Sequence, residues 1–89
     1  MLIRVKVLLL QVEGELRDGT EVSLAEGSSM GDLVSQLCSR YPLFKHLTTD
    51  SSGSLLSFIR VVMGGRVRGK DTVLINNEEV AFYPVMAGG

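Results

Sequence analysis

The sequence predicts an α+β fold, in which one main helix packs on one face of a mixed sheet of four to five strands. Strands are favoured at both ends of the chain, because inward-facing apolar residues alternate with other residues over Leu2–Leu10 and again over residues 79–83. Apolar residues at helical spacing in residues 30–41 favour the helix. A length of 89 residues suits one domain with one small core.

The first predicted strand, Leu2–Leu10, has a fully apolar face and a mixed face. The residues of the apolar face, which we expect in the core, are Ile3, Val5, Val7 and Leu9. The mixed face begins charged and ends with Leu8 and Leu10, which we expect to be exposed hydrophobic residues. Asp18-Gly19 is a turn signal before a second alternating segment, Thr20–Leu24, so the two strands are predicted to form a hairpin.

The main helix is predicted to begin after Ser29, whose hydroxyl can cap it, with Asp32 completing a weaker capping box. Pro42 is expected to end it near Tyr41. The apolar stripe that would lie on the sheet consists of Met30, Leu33, Val34, Leu37, Cys38 and Tyr41. Cys38 is therefore predicted to be a core thiol, because no neighbouring basic pair would lower its pKa.

A short helical turn over residues 43–47 and a polar loop over residues 48–54 are predicted next. The loop lacks an apolar anchor, so we expect it to be mobile. His46 has no partner at the spacing of a metal site or a catalytic triad, so we expect it at the surface or half-buried.

The last third of the chain is predicted to hold three strands separated by tight turns. A strand over Leu55–Met63 precedes Gly64-Gly65, a pair typical of a two-residue hairpin turn, and Arg66–Arg68 returns. Asn76-Asn77 is a second turn signal before the final strand. The first and last strands are the most apolar, so we expect them to be parallel neighbours at the centre of the sheet.

Composition excludes several function classes. The net charge of −1 without a block of like charge argues against a DNA-binding protein. No apolar run approaches the roughly 18 residues of a membrane span, and Leu2–Leu10 lacks the cleavage site of a signal peptide. Cys38 is the single cysteine, which suggests a reducing compartment, so a cytoplasmic location is expected. One cysteine and one histidine cannot build a zinc or iron–sulfur site.

The C-terminus combines a core strand with a terminal Gly88-Gly89 pair. Pro84 removes a backbone donor and should end the strand ladder. A Gly-Gly end carries no side chain, so it can enter a narrow channel and present a bare carboxylate to another enzyme. A chance Gly-Gly end has odds of roughly one in a hundred. The signal gains weight because a core strand fixes the start of this tail.

The segment Glu79–Gly89 resembles the C-terminus of the prokaryotic sulfur carriers, which include the small subunit of molybdopterin synthase and the carrier of the thiamine pathway. These carriers end in a Val-Ala-aromatic strand, one or two prolines and Gly-Gly. Val85 stands here where many have a second proline. The resemblance implies a ubiquitin-like β-grasp domain over residues 1–84 and a flexible tail over residues 85–89.

The resemblance also implies a chemistry. A ubiquitin-activating-type enzyme would use ATP to adenylate the Gly89 carboxylate, beside Gly88, and a sulfur donor would convert it to a thiocarboxylate. The chain would then be a cosubstrate that binds no cofactor itself. Three alternatives remain open: a modifier joined to lysines of target proteins, a carrier for tRNA thiolation, and a plain interaction module.

Docking on partners would use apolar residues on the sheet face opposite the helix, as in the resembled small subunit. The implied partners are the activating enzyme and the molybdopterin synthase large subunit. The residues that we expect to contact them are Leu8, Leu10, Val62, Tyr83, Pro84, Val85 and Met86.

Overall fold

A computed structural model describes residues 1–85 and contains a mixed sheet of five strands with three helices. In chain order the elements are β1 (Leu2–Val7), α1 (Glu15–Asp18), β2 (Thr20–Ser23), α2 (Met30–Arg40), α3 (Pro42–Thr48), β3 (Ile59–Met63), β4 (Arg66–Val67) and β5 (Glu79–Pro84). The strands lie in the order β2-β1-β5-β3-β4. The predicted fold class is confirmed.

The parallel pair of β1 and β5 lies at the centre of the sheet. This arrangement was predicted from the apolar composition of the first and last strands. Val5 lies opposite Val80 and Val7 opposite Phe82 in this pair. The other strand pairs are antiparallel. The two chain ends therefore support each other, and β5 lies between β1 and β3.

One hydrophobic core fills the space between the sheet and the helices. Alternate residues of β1, β3 and β5 point into it, and the apolar stripe of α2 covers them. Phe44 of α3 adds an edge-to-face contact with Phe82, with ring centroids 5.2 Å apart. The side chains that are fully buried here include Ile3, Val5, Val7, Val22, Leu33, Leu37, Phe44, Val80 and Phe82.

The N-terminus of α2 is capped twice. The Ser29 hydroxyl accepts the Asp32 N–H over 3.2 Å while the Asp32 carboxylate accepts the Ser29 N–H over 2.8 Å, so the predicted capping box is present. The N–H of Gly31 donates to the Lys70 carbonyl over 2.9 Å. A Cβ atom at Gly31 would lie 3.4 Å from that oxygen, so glycine suits this close approach.

Both predicted turns have the expected backbone. Gly64 and Gly65 have φ values of 63° and 78°, and they join β3 to β4. Asn77 has a φ of 68°, the left-handed conformation that asparagine tolerates better than most residues.

Strand ends and one helix differ from the predictions. β1 ends at Val7 rather than Leu10, because the chain turns where the Val12 N–H donates to the Leu9 carbonyl. The segment before β2 contains the unpredicted α1, whose Leu16 is buried. β3 begins at Ile59 rather than Leu55, because a turn closed by the Leu56 carbonyl precedes it.

The segment after α2 partly follows the predictions. The helical turn predicted over residues 43–47 is present as α3, which Pro42 opens, since proline suits the first turn of a helix. His46 is exposed, in agreement with its predicted position, whereas Cys38 is half-buried and packs against the core. The loop after α3, expected to lack an anchor, is held by Thr48, which is fully buried, and by Asp50, whose carboxylate accepts three hydrogen bonds from Ser52 and Ser54.

Helix α2 also contacts the outer edge of the sheet. The Gln36 side chain donates to the Ser23 carbonyl over 3.2 Å, and Arg40 donates to the Glu21 carbonyl over 3.4 Å. These carbonyls belong to β2, which has no neighbouring strand on that side. Helix side chains therefore take the place of a strand along this edge.

Within residues 1–85, every helix is too short to reach across a lipid bilayer. The same part of the chain holds no cluster of three or more metal-ligating side chains.

Candidate functional site

The start of the C-terminal tail is fixed by hydrogen bonds on both sides of β5. The Leu8 N–H donates to the Phe82 carbonyl over 2.8 Å, from the β1 side. The Val85 N–H donates to the Phe58 carbonyl over 2.7 Å, on the β3 side. The sheet thus holds the chain through Val85, four residues before its end. Val85 was assigned to the tail from the sequence, and its backbone continues the sheet.

Pro84 explains why the hydrogen bonding between β1 and β5 ends at this point. Alternation along β5 places the Pro84 nitrogen on the β1 side, since the Phe82 carbonyl also faces β1. Proline has no N–H to donate there, so the parallel ladder stops after Leu8. On the β3 side the ladder continues by one residue. The predicted role of Pro84 in ending a ladder is therefore correct for the β1 side.

Leu8, Val62 and Tyr83 share the sheet face that points away from α2, as strand parity predicted. Tyr83 lies opposite Arg60, and Val62 lies opposite Ala81. Leu8 follows Val7, the partner of Phe82, so it comes beside Tyr83. We call this surface the outer sheet face.

Exposure along the outer sheet face is uneven. Leu8 is 45% exposed, whereas Val62 and Tyr83 are half-buried among their neighbours. Val67 faces Val62 across the β3–β4 hairpin and is 59% exposed, which the sequence interpretation missed because β4 is only two residues long. The Phe58 side chain is 47% exposed, and the Phe58 carbonyl accepts the hydrogen bond from the Val85 N–H. Its position just before β3 was the sequence signal that could have identified it as part of this surface.

Leu10 does not lie on a strand. It occupies the turn after β1 and is 91% exposed, the most exposed of the large apolar residues within residues 1–85. Its predicted place on the outer sheet face relied on a strand that ends at Val7, so strand parity no longer assigns it to that face. The role of Leu10 in partner binding therefore stays a prediction.

Three predicted site residues, Met86, Gly88 and Gly89, lie outside the described residues 1–85. The described part supplies the fixed start of the tail and an apolar surface beside it. A carboxylate at the end of such a tail could reach a partner that docks on this surface.

Comparison with known proteins agrees with this picture. The model of a family described as the ThiS family matches residues 8–89. The molybdopterin synthase sulfur carrier subunit of Mycobacterium tuberculosis is 33% identical over 91 aligned residues, covering 99% of this chain and 100% of that protein.

Two solved structures show the same fold at lower identity. The crystal structure of SAMP1 from Haloferax volcanii superposes with a TM-score of 0.85 at 19% identity, covering 100% of both chains. A chain of the BexX/CysO complex from Amycolatopsis orientalis gives a TM-score of 0.70 at 17% identity, covering 98% of this chain and 99% of that one. The match of the family model to residues 8–89 and the match of the mycobacterial relative to 99% of the chain show that this chain belongs to the ThiS family, with a ubiquitin-like β-grasp fold.

Proposed function

We propose that this protein is a sulfur carrier, and that it acts as the small subunit of molybdopterin synthase in the synthesis of the molybdenum cofactor. The observation that carries this proposal is the whole-length match to the mycobacterial sulfur carrier subunit. The Gly88-Gly89 end and the central position of β5, which leads into it, support the same proposal.

The proposed chemistry takes place at Gly89. A carboxylate is a poor acyl donor, so an activating enzyme first joins it to the AMP part of ATP and releases pyrophosphate. Hydrosulfide then displaces AMP and leaves a thiocarboxylate. If a persulfide attacks instead, the product is an acyl disulfide, and a second thiol must reduce it to the thiocarboxylate. In the synthase, the sulfur passes to the substrate and the carboxylate returns.

Docking is the proposed task of the folded domain. The outer sheet face offers Leu8, Val62 and Tyr83 beside the start of the tail, and exposed apolar surface is typical of binding sites. We propose that the activating enzyme and the large subunit bind there in turn and that Leu10 extends the contact. Fixing the tail at Val85 leaves few bonds free to rotate, which lowers the entropy cost of bringing Gly89 to the reacting groups.

The decisive experiment measures the intact mass of the protein after incubation with ATP, the activating enzyme and a sulfur donor. A mass gain that matches one oxygen replaced by sulfur, lost on deletion of Gly89, is the expected result. The control is a chain with Val85→Ala, which alters the start of the tail but keeps both glycines. An unchanged mass with an enzyme that adenylates another carrier would contradict the proposal.

A protein modifier is the second candidate, favoured by the fit to the SAMP1 structure. In that case Gly89 would form an isopeptide bond with a lysine of a target protein. The same mass measurement separates the two, because a conjugate is far heavier than a thiocarboxylate. A carrier for tRNA thiolation would give the same mass as the synthase subunit, so adding the large subunit and its substrate must follow.

A further inference from the structure

A second surface lies on the helix side of the molecule, away from the outer sheet face. A cavity of about 450 Å³ opens between the first half of α2, the start of β3 and the segment after β4. Its apolar walls include Met30, Val34 and Ile59, which are almost completely buried from solvent. Its remaining walls include Arg68 and Lys70, whose side chains are cationic.

Basic residues are concentrated in the sequence segment that contributes Arg68 and Lys70 to this cavity. Residues 51–70 contain four of the nine basic residues and none of the ten acidic ones, so this segment carries a charge of +4 and the rest of the chain −5. The net charge of −1 hides this separation. A concentrated positive potential in a recess attracts negatively charged partners and speeds their association.

The cations at the cavity have no carboxylate partner within residues 1–85. The two ion pairs found there are Met1–Glu26 and Lys6–Glu79, both elsewhere. Of the acidic groups near the cavity, the Asp32 carboxylate caps Ser29 and the Asp50 carboxylate holds its own loop. Asp71, which follows Lys70, is exposed and forms neither of these two ion pairs.

A backbone carbonyl holds one of these side chains in place. The Arg68 Nε donates to the Met63 carbonyl over 3.1 Å. A guanidinium group has five N–H donors, so Arg68 keeps donors for a ligand after this bond. A preorganised cation loses less side-chain entropy when it binds a carboxylate.

We propose that this cavity is a docking site for a peptide segment of a partner protein that has a short apolar sequence flanked by aspartate or glutamate. The apolar side chains would enter the recess beside Leu55, which is half-buried, and the carboxylates would meet Arg68 and Lys70. The site is separate from the outer sheet face, so a partner could bind it while the tail is engaged elsewhere. This inference does not depend on the sulfur chemistry of Gly89.

The test uses the full chain, labelled with 15N, and three synthetic peptides observed by NMR titration. The probe is acetyl-Asp-Glu-Leu-Val-Leu-Glu-Asp-amide. One control replaces its acids by Asn and Gln, and the other replaces the apolar residues by Ser-Gly-Ser. We expect saturable shifts only with the probe, at the amides of Gly31, Leu55 and Gly69 and not at those of Leu8 or Tyr83. Raising the salt from 0.1 M to 1 M, which shortens the Debye length from about 10 Å to about 3 Å, should weaken binding.

Variants assign the effect to the cavity. Lys70→Gln removes a cation whose side chain makes no hydrogen bond within the described residues, and it should weaken binding about fivefold, the upper end for a surface ion pair. Arg68→Gln should weaken it similarly, and its unfolding curve reports whether the lost bond to Met63 disturbs the fold. Lys45→Gln, an equal charge change on the exposed side of α3, is the matched control and should bind as the wild type. No saturable shift with the probe, equal binding of the neutral peptide, or equal weakening in Lys45→Gln would overturn the proposal.

Discussion

The backbone N–H of Val85 and the carbonyl of Phe58 are 2.7 Å apart, and this hydrogen bond is the last one before the C-terminal tail among the described residues. It extends the antiparallel ladder of β3 and β5 past Pro84. The ladder can continue there because the Pro84 nitrogen faces β1, so no N–H of residue 84 is required on the β3 side. The tail thus starts from a fixed point on the sheet. Two residues that are 27 positions apart in sequence set that point.

Val85→Pro is predicted to remove this bond and lower the free energy of unfolding by about 1 kcal/mol, the usual net value of a hydrogen bond. The gain from a stiffer unfolded chain should be smaller than the loss, because the native N–H is bonded. Val85→Ala keeps the N–H and should stay closer to the wild type. Urea unfolding of the three proteins checks the order, and equal stability of the proline and alanine variants would contradict it.

Binding to partners is predicted to depend on the outer sheet face. Leu8→Glu and Tyr83→Ala should each weaken binding of the activating enzyme at least tenfold, because buried apolar contacts of this size contribute about 1.5–3 kcal/mol. Leu10→Glu tests whether the turn after β1 extends the contact. Affinity can be measured by calorimetry with the variants in their folded state.

Leu43→Glu is the matched control for Leu8→Glu. Leu43 is 47% exposed on α3 and Leu8 is 45% exposed on the opposite side of the sheet, so the two changes are alike in chemistry and exposure. Partner binding should be unchanged in Leu43→Glu. Equal loss of affinity in both variants would show that docking does not use the outer sheet face.

The capping box of α2 makes a separate prediction about stability. Ser29→Ala should lower the free energy of unfolding by about 1 kcal/mol, because the Asp32 N–H loses its acceptor. Ser28→Ala is the control, since only backbone atoms of Ser28 are bonded within the described residues. Thermal unfolding of both variants should place the Ser28 variant near the wild type.

Asp50 supplies a prediction about pH. Hydrogen bonds from the Ser52 side chain, and then from the backbone of residues 52–54, hold the pKa of the Asp50 carboxyl below its ordinary value of 3.8. A depressed pKa means that ionised Asp50 stabilises the folded loop above pH 3.8, and that this contribution is lost as the pH falls through the folded-state pKa.

Ser52→Ala should raise the pKa of Asp50 towards 3.8, which carboxyl carbon NMR can follow during an acid titration. Ser51→Ala is the control, because Ser51 donates none of these bonds. Unchanged titration in Ser52→Ala would mean that the hydroxyl does not set the pKa.

Much of the fold could be predicted because local patterns and the global arrangement agree. Strict alternation over Ile3, Val5 and Val7 identified the buried face of β1, and Ser29 with Asp32 located the start of α2. The left-handed φ of Asn77 follows from its residue type at a turn. Each of these signals lies within a few residues, where sequence patterns are most informative.

The errors involve contacts between distant residues. Apolar residues continue to Leu10, but β1 ends at Val7 where the chain turns, and Pro84, far along the chain, has no N–H to pair with a longer strand. Helix α1 buries only Leu16, too little to give a periodic pattern. The cationic cavity joins α2 to segments 53–61 and 67–70, and no single window of sequence contains it.

The hydrogen bonds from Gln36 and Arg40 to the β2 carbonyls bear on whether copies of this protein associate through the edge of the sheet. Under the proposed function the chain is loaded and discharged once per turnover, and self-association rises steeply with concentration. Bare strand edges are the templates on which copies stack into fibrils. With the Ser23 and Glu21 carbonyls already occupied, that edge has fewer free acceptors for a second chain. The helix that completes the core thereby also covers part of an edge on which a second chain could pair.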